Sequence, residues 1–235
     1  MKKFAVLAAG CAAIAIGIGV AGYQAAADNG GTISGTVKFD GTAPAPKKVE
    51  VTKDKEVCGL KPHFEQDLVV GGGGGIANAV VVLKDAKGTA KPMEVNFNQK
   101  GCDYSPHVLA FPAGSTVSII NDDGILHNIH TYSQANPPFN MAQPKFKKVI
   151  KQTVEKPEII KVNCDAHGWM HGWWYVTDTP YFAVTDDNGN FEIKDVPPGS
   201  YTIEVWQEKL GTQDQKVDVK AGATATSNFT LKPKA

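Results

Sequence analysis

Arginine is absent from the 235-residue chain, in which 24 lysines balance 24 aspartates and glutamates. Without a guanidinium group, the protein lacks the planar fork that binds phosphate in a bidentate way. The balanced charge gives no positive surface for nucleic acid or anionic membranes. The glycine run at residues 71–75 is not followed by Lys-Ser or Lys-Thr, so it is not a phosphate loop. The composition therefore argues against nucleic-acid and nucleotide binding.

Long apolar runs are also scarce, apart from one at the N-terminus. Lys2 and Lys3 precede an uncharged apolar run at residues 4–22, and small alanines end this region at Ala27. This pattern is typical of an export signal, so we expect residues 1–27 to be removed and the protein to be periplasmic. The alternative is an uncleaved anchor facing the periplasm, since the run is long enough to span a bilayer. Contact with the membrane is expected only in that case.

Cysteine is rare, and the number that would remain after export is odd. The mature chain would hold Cys58, Cys102 and Cys164, in a compartment where disulfides form. The simplest pairing joins Cys58 to Cys102 and leaves Cys164 free, although the sequence does not decide this. A free thiol in an exported protein is usually protected or used. Cys164 is therefore either a functional group or a buried, inert residue.

No long segment shows helical periodicity. Short runs rich in Val, Ile, Thr, Phe and Tyr alternate with Gly, Pro, Asn and Asp, which is typical of all-β sandwiches. We therefore predict an all-β fold. The predicted strands are residues 31–39, 77–83, 108–111, 115–121, 127–132, 158–163, 173–177, 182–185, 190–193 and 201–208.

Two architectures share this chain. Residues 31–37 and 77–83 resemble the first strands of a carboxypeptidase regulatory-like (transthyretin-like) β-sandwich. The rest of that pattern, at residues 187–191 and 196–203, follows only after a long interruption. The resemblance implies a sandwich whose sequence is divided into two parts.

We therefore predict a discontinuous carboxypeptidase regulatory-like domain of residues 28–89 and 179–235, with a second β-domain inserted at residues 90–178. Insertions are tolerated where the ends of the inserted domain lie close together. In the alternative layout the two domains follow in series, and residues 31–83 belong to the second domain.

The predicted insert carries a set of metal-binding side chains. Residues 106–123 read as a strand, a Pro-Ala-Gly turn and a second strand, and His127 follows. A later Cys-x-x-His-x-x-Met motif supplies Cys164, His167 and Met170. This order resembles the cupredoxin family, with the ligand spacing of amicyanin, and implies a Greek-key β-sandwich with one mononuclear copper ion.

The residue types suit copper for a chemical reason. Cu(I) favours soft sulfur and Cu(II) favours nitrogen, so two imidazoles, one thiolate and a weak thioether serve both oxidation states. The resemblance also implies that Asn128, directly after the first histidine, ties the two ligand loops together. Zinc is the alternative, because Cys164, His167, His171 and His127 would make a tetrahedral site.

The remaining histidines have less specific interpretations. His171 could replace Met170 as a stronger axial ligand, or it could lie beside the site without binding the metal. His130 lies three residues after His127, so on a strand the two side chains point to opposite faces. We therefore expect His130 not to be a ligand.

The mature chain as a whole, about residues 28–233, resembles a bacterial family of cupredoxin-containing carboxypeptidase regulatory-like proteins, some of them labelled methylamine utilisation proteins. The resemblance implies a periplasmic or surface copper protein with periplasmic redox proteins as partners. It does not imply methylamine chemistry. The shared features are residues 100–102, 106–108, 127–130, 164–170 and 206–212.

We therefore expect a single-electron carrier rather than an enzyme. Catalytic copper needs an open coordination position or a further histidine-rich centre, and the chain has only 6 histidines. The alternatives are a protein that binds or delivers copper, with redox incidental, and a surface interaction protein that copper only stabilises.

Overall fold

The computed structural model describes residues 29–86 and 88–233, and the predicted signal, residues 1–27, lies outside them. The described chain is almost entirely β-structure. A short α-helix, α1, spans Lys55–Cys58, and a 3-10 turn spans Gly72–Gly74. The strands are β1 Gly31–Phe39, β2 Lys48–Val49, β3 His63–Phe64, β4 Val80–Leu83, β5 Glu94–Gln99, β6 Tyr104–Ser105, β7 Val108–Pro112, β8 Ser115–Asn121, β9 His127–Tyr132, β10 Asn140–Gln143, β11 Val149–Val154, β12 Glu158–Asn163, β13 His171–Thr177, β14 Phe182–Val184, β15 Asn190–Val196, β16 Gly199–Gln207, β17 Gly211–Val219, β18 Thr224–Thr226 and β19 Phe229–Leu231.

Alternating burial explains why these segments form strands. In β12 the side chains of Ile160 and Val162 are buried, whereas Ile159 and Lys161 are exposed. Successive side chains of a strand point to opposite faces of the sheet, so this alternation places one face in the core and one in solvent. The short β4 is buried throughout, because it lies between two other strands and is covered on both faces.

The first sandwich joins the beginning of the described chain to its end. One sheet holds β15, β1 and β18, with β19 also paired to β1, and the other has the order β14-β4-β16-β17. In β1 the residue Gly35 lies opposite Phe191, and in β4 the residue Val81 lies opposite Val205. The side chains between the two sheets form one apolar core that includes Ile33, Val37, Val81, Ile203 and Phe229.

The second sandwich contains all the strands between Glu94 and Thr177. Its sheets have the orders β10-β9-β12-β13-β7 and β11-β8-β5-β6. Phe97, Ile119, Ile129 and Trp174 are fully buried in the core between them. In the chain this sandwich therefore lies between β4 and β14, which pair with each other in the first sandwich. The boundaries at residues 89–90 and 178–179 stay predictions.

A buried apolar seam packs the two sandwiches together. Val80, Val82 and Trp206 from the first sandwich contact Val108 and Tyr175 from the second. The Tyr175 hydroxyl also donates to Glu204 Oε1 at 3.3 Å. Because β13 lies at this seam, residues at its beginning are held close to both sandwiches.

A disulfide joins the segment between β2 and β3 to the second sandwich. It links Cys58 to Cys102, as the simplest pairing predicts, and leaves Cys164 free and buried. Within the described residues, no helix has the length and apolar character that a membrane span requires.

Candidate metal centre

Three of the four predicted metal ligands converge in the core of the second sandwich. Cys164 Sγ lies 3.8 Å from His127 Nδ1 and 3.6 Å from His167 Nδ1, and the two Nδ1 atoms are 3.0 Å apart. The three residues are at most 1% exposed. One thiolate and two imidazole nitrogens thus surround a common point without contact with bulk solvent.

Strand pairing and a tight turn create this convergence. His127 begins β9, and Cys164 directly follows β12, which is paired with β9. The loop after Cys164 closes on itself, since the Cys164 N–H donates to the Met170 carbonyl and the Met170 N–H donates to the His167 carbonyl, both at 2.9 Å. The turn therefore presents Cys164 and His167 to the same point, beside the histidine from β9.

Asn128 connects the two ligand-bearing segments. Its Oδ1 accepts a hydrogen bond from the Ala166 N–H at 3.1 Å, inside the loop of Cys164 and His167. Its Nδ2 donates to Asn140 Oδ1 at 2.7 Å, which fixes the orientation of the amide. The bond from Ala166 to Asn128 is the connection between the two ligand loops that the resemblance to cupredoxins implies. The fourth predicted ligand, Met170, is 2% exposed and belongs to the same apolar core as Cys164.

The outer nitrogen of each histidine is held by a carboxylate. His127 Nε2 lies 2.9 Å from Asp123 Oδ2, and His167 Nε2 lies 2.8 Å from Asp54 Oδ2. Such bonds fix ring orientation and keep a proton on Nε2, so that Nδ1 is the nitrogen that faces the sulfur and, when deprotonated, can bind a metal. Sequence reasoning missed both carboxylates. Asp123 lies near His127 in the sequence, but Asp54 belongs to a distant segment and carries no motif.

Each cysteine of the disulfide donates its backbone N–H to one of the two aspartates. The Cys58 N–H donates to the Asp54 carbonyl at 2.8 Å, and the Cys102 N–H donates to Asp123 Oδ2 at 2.8 Å. The Cys102 carbonyl accepts from Trp169 Nε1 at 3.2 Å, and the Trp169 ring packs against His167 with centroids 5.1 Å apart. The Cys58–Cys102 bond therefore links the backbone that positions the two carboxylates and the aromatic cover of the site.

Electrostatics favour an ionised thiol. Burial raises the pKa of Cys164, but hydrogen bonds from His127 and His167, one from the Asn128 backbone and the charge of His127 lower it to about 6. Burial lowers the pKa of His127, but hydrogen bonds with Asp123 and Cys164 and their charges raise it to about 9. Near neutral pH the metal-free site therefore holds a thiolate beside an imidazolium. A metal cation would replace the proton on His127 Nδ1, because histidine and cysteine bind metals in their deprotonated forms.

The other histidines considered from the sequence lie in different surroundings. His171 Nε2 is 4.0 Å from Glu208 Oε2, so the structure groups this histidine with Glu208 and His107. His130 Nδ1 is 3.0 Å from Asp165 Oδ2, and its side chain is partly exposed. The fold therefore does not bring His171 together with His127, Cys164 and His167, the set predicted for zinc.

The donor set fits a soft or borderline transition metal. Two imidazoles and a thiolate in a buried site suit copper and also zinc, whereas hard cations such as magnesium prefer oxygen. The buried thiolate and the inward-facing nitrogens are observations of this chain alone. They bring His127, Cys164 and His167 together, and copper as the ion that they bind stays a prediction.

Comparison with known proteins identifies one part of the chain. A family model described as a carboxypeptidase regulatory-like domain matches residues 175–232. A segment of 56 residues is 32% identical to rhamnogalacturonate lyase A from Emericella nidulans. It covers 24% of this chain and 11% of the lyase, so this match gives no information about the activity of this protein.

Solved structures of copper proteins are among the similar folds. A purple cupredoxin from Nitrosopumilus maritimus is 24% identical, with 35% of this chain and 99% of that chain covered and a TM-score of 0.31. A copper-containing nitrite reductase from Thermus scotoductus is 25% identical, with 42% of this chain and 25% of that chain covered and a TM-score of 0.35. An amicyanin variant with Cu(I) is 15% identical, with 41% of this chain and 98% of that chain covered and a TM-score of 0.33. Similarity at these TM-scores is too low to assign a function.

The acidity of the thiol gives a first test of the site. In the metal-free protein, far-ultraviolet thiolate absorbance should titrate with a midpoint near pH 6, since the pKa of Cys164 is lowered to about 6. In His127→Gln the imidazolium and its hydrogen bond are lost, and the midpoint should rise toward 9.0. His130→Gln is the matched control and should leave it unchanged. A wild-type midpoint close to 9.0 would contradict the geometry of the site.

Proposed function

We propose that this protein is an exported, periplasmic copper protein that carries single electrons and is not an enzyme. Its proposed metal ligands are His127, Cys164, His167 and Met170, and its proposed partners are periplasmic redox proteins. The observation that carries the proposal is the buried convergence of Cys164 Sγ with the Nδ1 atoms of His127 and His167, each within 3.8 Å of the sulfur.

The residues of the site are suited to repeated electron transfer. A bound copper ion would supply a one-electron change between Cu(I) and Cu(II). The two imidazoles and the thiolate accommodate both states, and burial keeps water from adding ligands. Asp123 and Asp54 hold the two rings from outside at 2.9 Å and 2.8 Å, which limits rearrangement. The buried thioether of Met170 is proposed as the weak fourth donor.

A short path leads from the site to the surface. His167 is buried, but its outer nitrogen contacts Asp54, whose side chain is 29% exposed. Lys53 and Lys55, on either side of Asp54, are exposed. An electron leaving through the His167 ring would therefore reach solvent-accessible groups after one hydrogen bond. This supports the surface around Asp54 as the place of exchange with a partner.

Copper binding or delivery is the second candidate function. A delivery protein must release its ion, which favours exposed or mobile ligands. Here His127, Cys164 and His167 are at most 1% exposed and the outer nitrogens are held by carboxylates, which favours retention. In a surface interaction protein, the third candidate, the carboxypeptidase regulatory-like domain would carry the function and Cys164→Ser would have no effect on it.

Copper titration of the exported chain, residues 28–235, tests the proposal. We expect one equivalent of Cu(II) to produce an intense thiolate-to-copper absorption band, because Cys164 Sγ lies among the two imidazoles. Voltammetry should then give a reversible one-electron wave, with copper retained through reduction. Cys164→Ser should lose the band, and His130→Gln should keep it.

Three outcomes separate the candidates. A colourless protein that retains zinc contradicts copper as the resident metal. A coloured protein that loses copper to a chelator on reduction supports delivery. A coloured protein with a reversible wave supports the carrier, and its partner can then be sought among small periplasmic redox proteins.

Met170 can be tested against a second methionine in the same domain. If its thioether is the weak axial donor, Met170→Leu should keep the absorption band but raise the reduction potential, because Cu(II) loses more than Cu(I). Each tenfold change in relative affinity corresponds to about 59 mV for one electron. Met141 is only partly buried against the same core, so Met141→Leu is the control and should leave the potential unchanged. Equal potentials in both variants would remove Met170 from the ligand set.

The outer carboxylate Asp54 gives a further prediction. Asp54→Asn should weaken copper binding by about 10–100-fold, the typical cost of losing the outer partner of a ligating histidine. Asp103→Asn is a matched control, because Asp103 Oδ1 is 3.1 Å from His63, a buried histidine outside the ligand set. Competition with a chelator of known affinity measures both. An unchanged affinity in Asp54→Asn would show that this hydrogen bond does not support the site.

A further inference from the structure

A second group of metal-binding side chains lies at the seam between the two sandwiches. His107 Nε2 contacts Glu208 Oε1, and His171 Nε2 lies 4.0 Å from Glu208 Oε2. The rings of His107 and His171 are edge to face, with centroids 5.3 Å apart. One donor atom of each residue lies within 4.8 Å of the other two. The side chains of His107 and Glu208 are 2% and 7% exposed, and that of His171 is 27% exposed.

The three residues come from three separate parts of the chain. His107 lies in the turn between β6 and β7, His171 is the first residue of β13, and Glu208 directly follows β16 of the other sandwich. Trp173 Nε1 donates to Glu208 Oε2 at 2.5 Å, which orients the carboxylate. The cluster therefore exists only because the two sandwiches pack together, and a hydrogen bond from a neighbouring strand holds its central group.

The hydrogen bonding of His171 leaves a lone pair directed at the carboxylate. Its Nδ1 is 3.2 Å from the Trp169 carbonyl, which can only accept, so Nδ1 carries the proton and donates. In the neutral ring Nε2 is then an acceptor, and it faces the Glu208 oxygen, a second acceptor, at 4.0 Å. Metal-binding histidines commonly donate their other N–H to a carbonyl in this way. Zinc bonds to nitrogen and oxygen are about 2.0–2.2 Å long, so one ion can reach both atoms.

One nitrogen of the His107 ring has no hydrogen-bond partner among the described residues, and the other contacts Glu208. Its Nδ1 is buried and has no hydrogen-bond partner in the part of the chain that the structure describes. Buried polar atoms of this kind are rare in folded proteins and call for an explanation. The hydrogen bonding of this side chain is thus limited to the contact of Nε2 with Glu208, and a cation bound between them would anchor both side chains.

The cluster opens into a large cavity. His107, His171 and Glu208 line a cavity of about 580 Å³ together with Lys48 and Lys161. A fourth coordination position toward this space is open to water, and the cavity lining carries both lysines and carboxylates. Three protein ligands with one open position are the arrangement of zinc sites that exchange a ligand.

We propose that His107, His171 and Glu208 form a second metal site, which binds one divalent ion of the zinc or Cu(II) type. The two imidazoles and one carboxylate contain no sulfur, so the site favours these ions over Cu(I). It is separate from the Cys164 site but joined to it by one peptide bond, since His171 follows Met170. It does not depend on the proposed electron transfer.

Counting bound zinc in matched variants tests the second site. Equilibrium dialysis of the exported chain against Zn²⁺, with metal analysis, should show one more ion per chain in the wild type than in Glu208→Gln. This variant keeps the size of the side chain and removes its charge. His107→Gln should lose the same ion. Its affinity for zinc should fall by more than the about 10–100-fold that follows from losing an outer hydrogen bond, because a ligand itself is removed. His130→Gln, which removes a histidine paired with Asp165, should bind as much zinc as the wild type.

The difference between variants makes the result independent of the Cys164 site. If that site binds no zinc, the wild type should bind one ion and Glu208→Gln none. If the Cys164 site does bind zinc, the wild type should bind two ions and Glu208→Gln one. Equal zinc in the wild type and in Glu208→Gln overturns the proposal, whatever the colour of the protein with copper. Near-ultraviolet circular dichroism of Glu208→Gln checks that the seam around Trp173 and Trp206 is still formed.

Discussion

The contact on which the rest of the metal centre depends is the buried approach of the Cys164 thiolate to two imidazoles. A thiolate removed from water is strongly destabilised unless positive charge or hydrogen-bond donors replace the lost solvation. His127 supplies both, with its Nδ1 atom at 3.8 Å from the sulfur, and His167 Nδ1 lies at 3.6 Å from the same sulfur. The carboxylates of Asp123 and Asp54 in turn stabilise the rings. The site is therefore a charged chain inside an apolar core, which is costly unless every member is present.

This chain of charges explains why the regions around the second sandwich matter to the site. Asp54 comes from the segment between β2 and β3, and the disulfide of Cys58 with Cys102 joins that segment to the turn whose backbone holds Asp123. The first sandwich contributes Trp206 to the seam and Glu208 to the neighbouring cluster. The carboxypeptidase regulatory-like domain is thus packed against the proposed copper domain, and one of its side chains contacts the residue that follows Met170.

The all-β fold and most central strands could be predicted, because their apolar residues alternate or run together. The prediction from the sequence missed nine strands, which are the short β2, β3, β6, β10, β18 and β19 and the longer β5, β11 and β17. Their exposed faces are rich in polar residues: in β17, for example, Val217 and Val219 are buried but Gln213 and Asp214 are exposed. β11 and β17 lie at the edges of their sheets, where a strand needs few apolar side chains, so composition identifies them poorly. The segment at residues 77–83 was predicted as one strand, but Asn78 has a φ of 59° and β4 begins only at Val80.

The sequence by itself determined the ligand types. Cys164, His167 and Met170 lie in one short motif, and the chemistry of sulfur and imidazole limits which ions such a motif prefers. Only the tertiary structure decided which distant groups complete the surroundings. Asp54 reaches His167 across 113 positions and His107 reaches Glu208 across 101, contacts that no local pattern encodes. The physical reason is that a turn brings near residues together through backbone geometry, whereas distant residues meet only after hydrophobic burial and strand pairing have packed the two sandwiches.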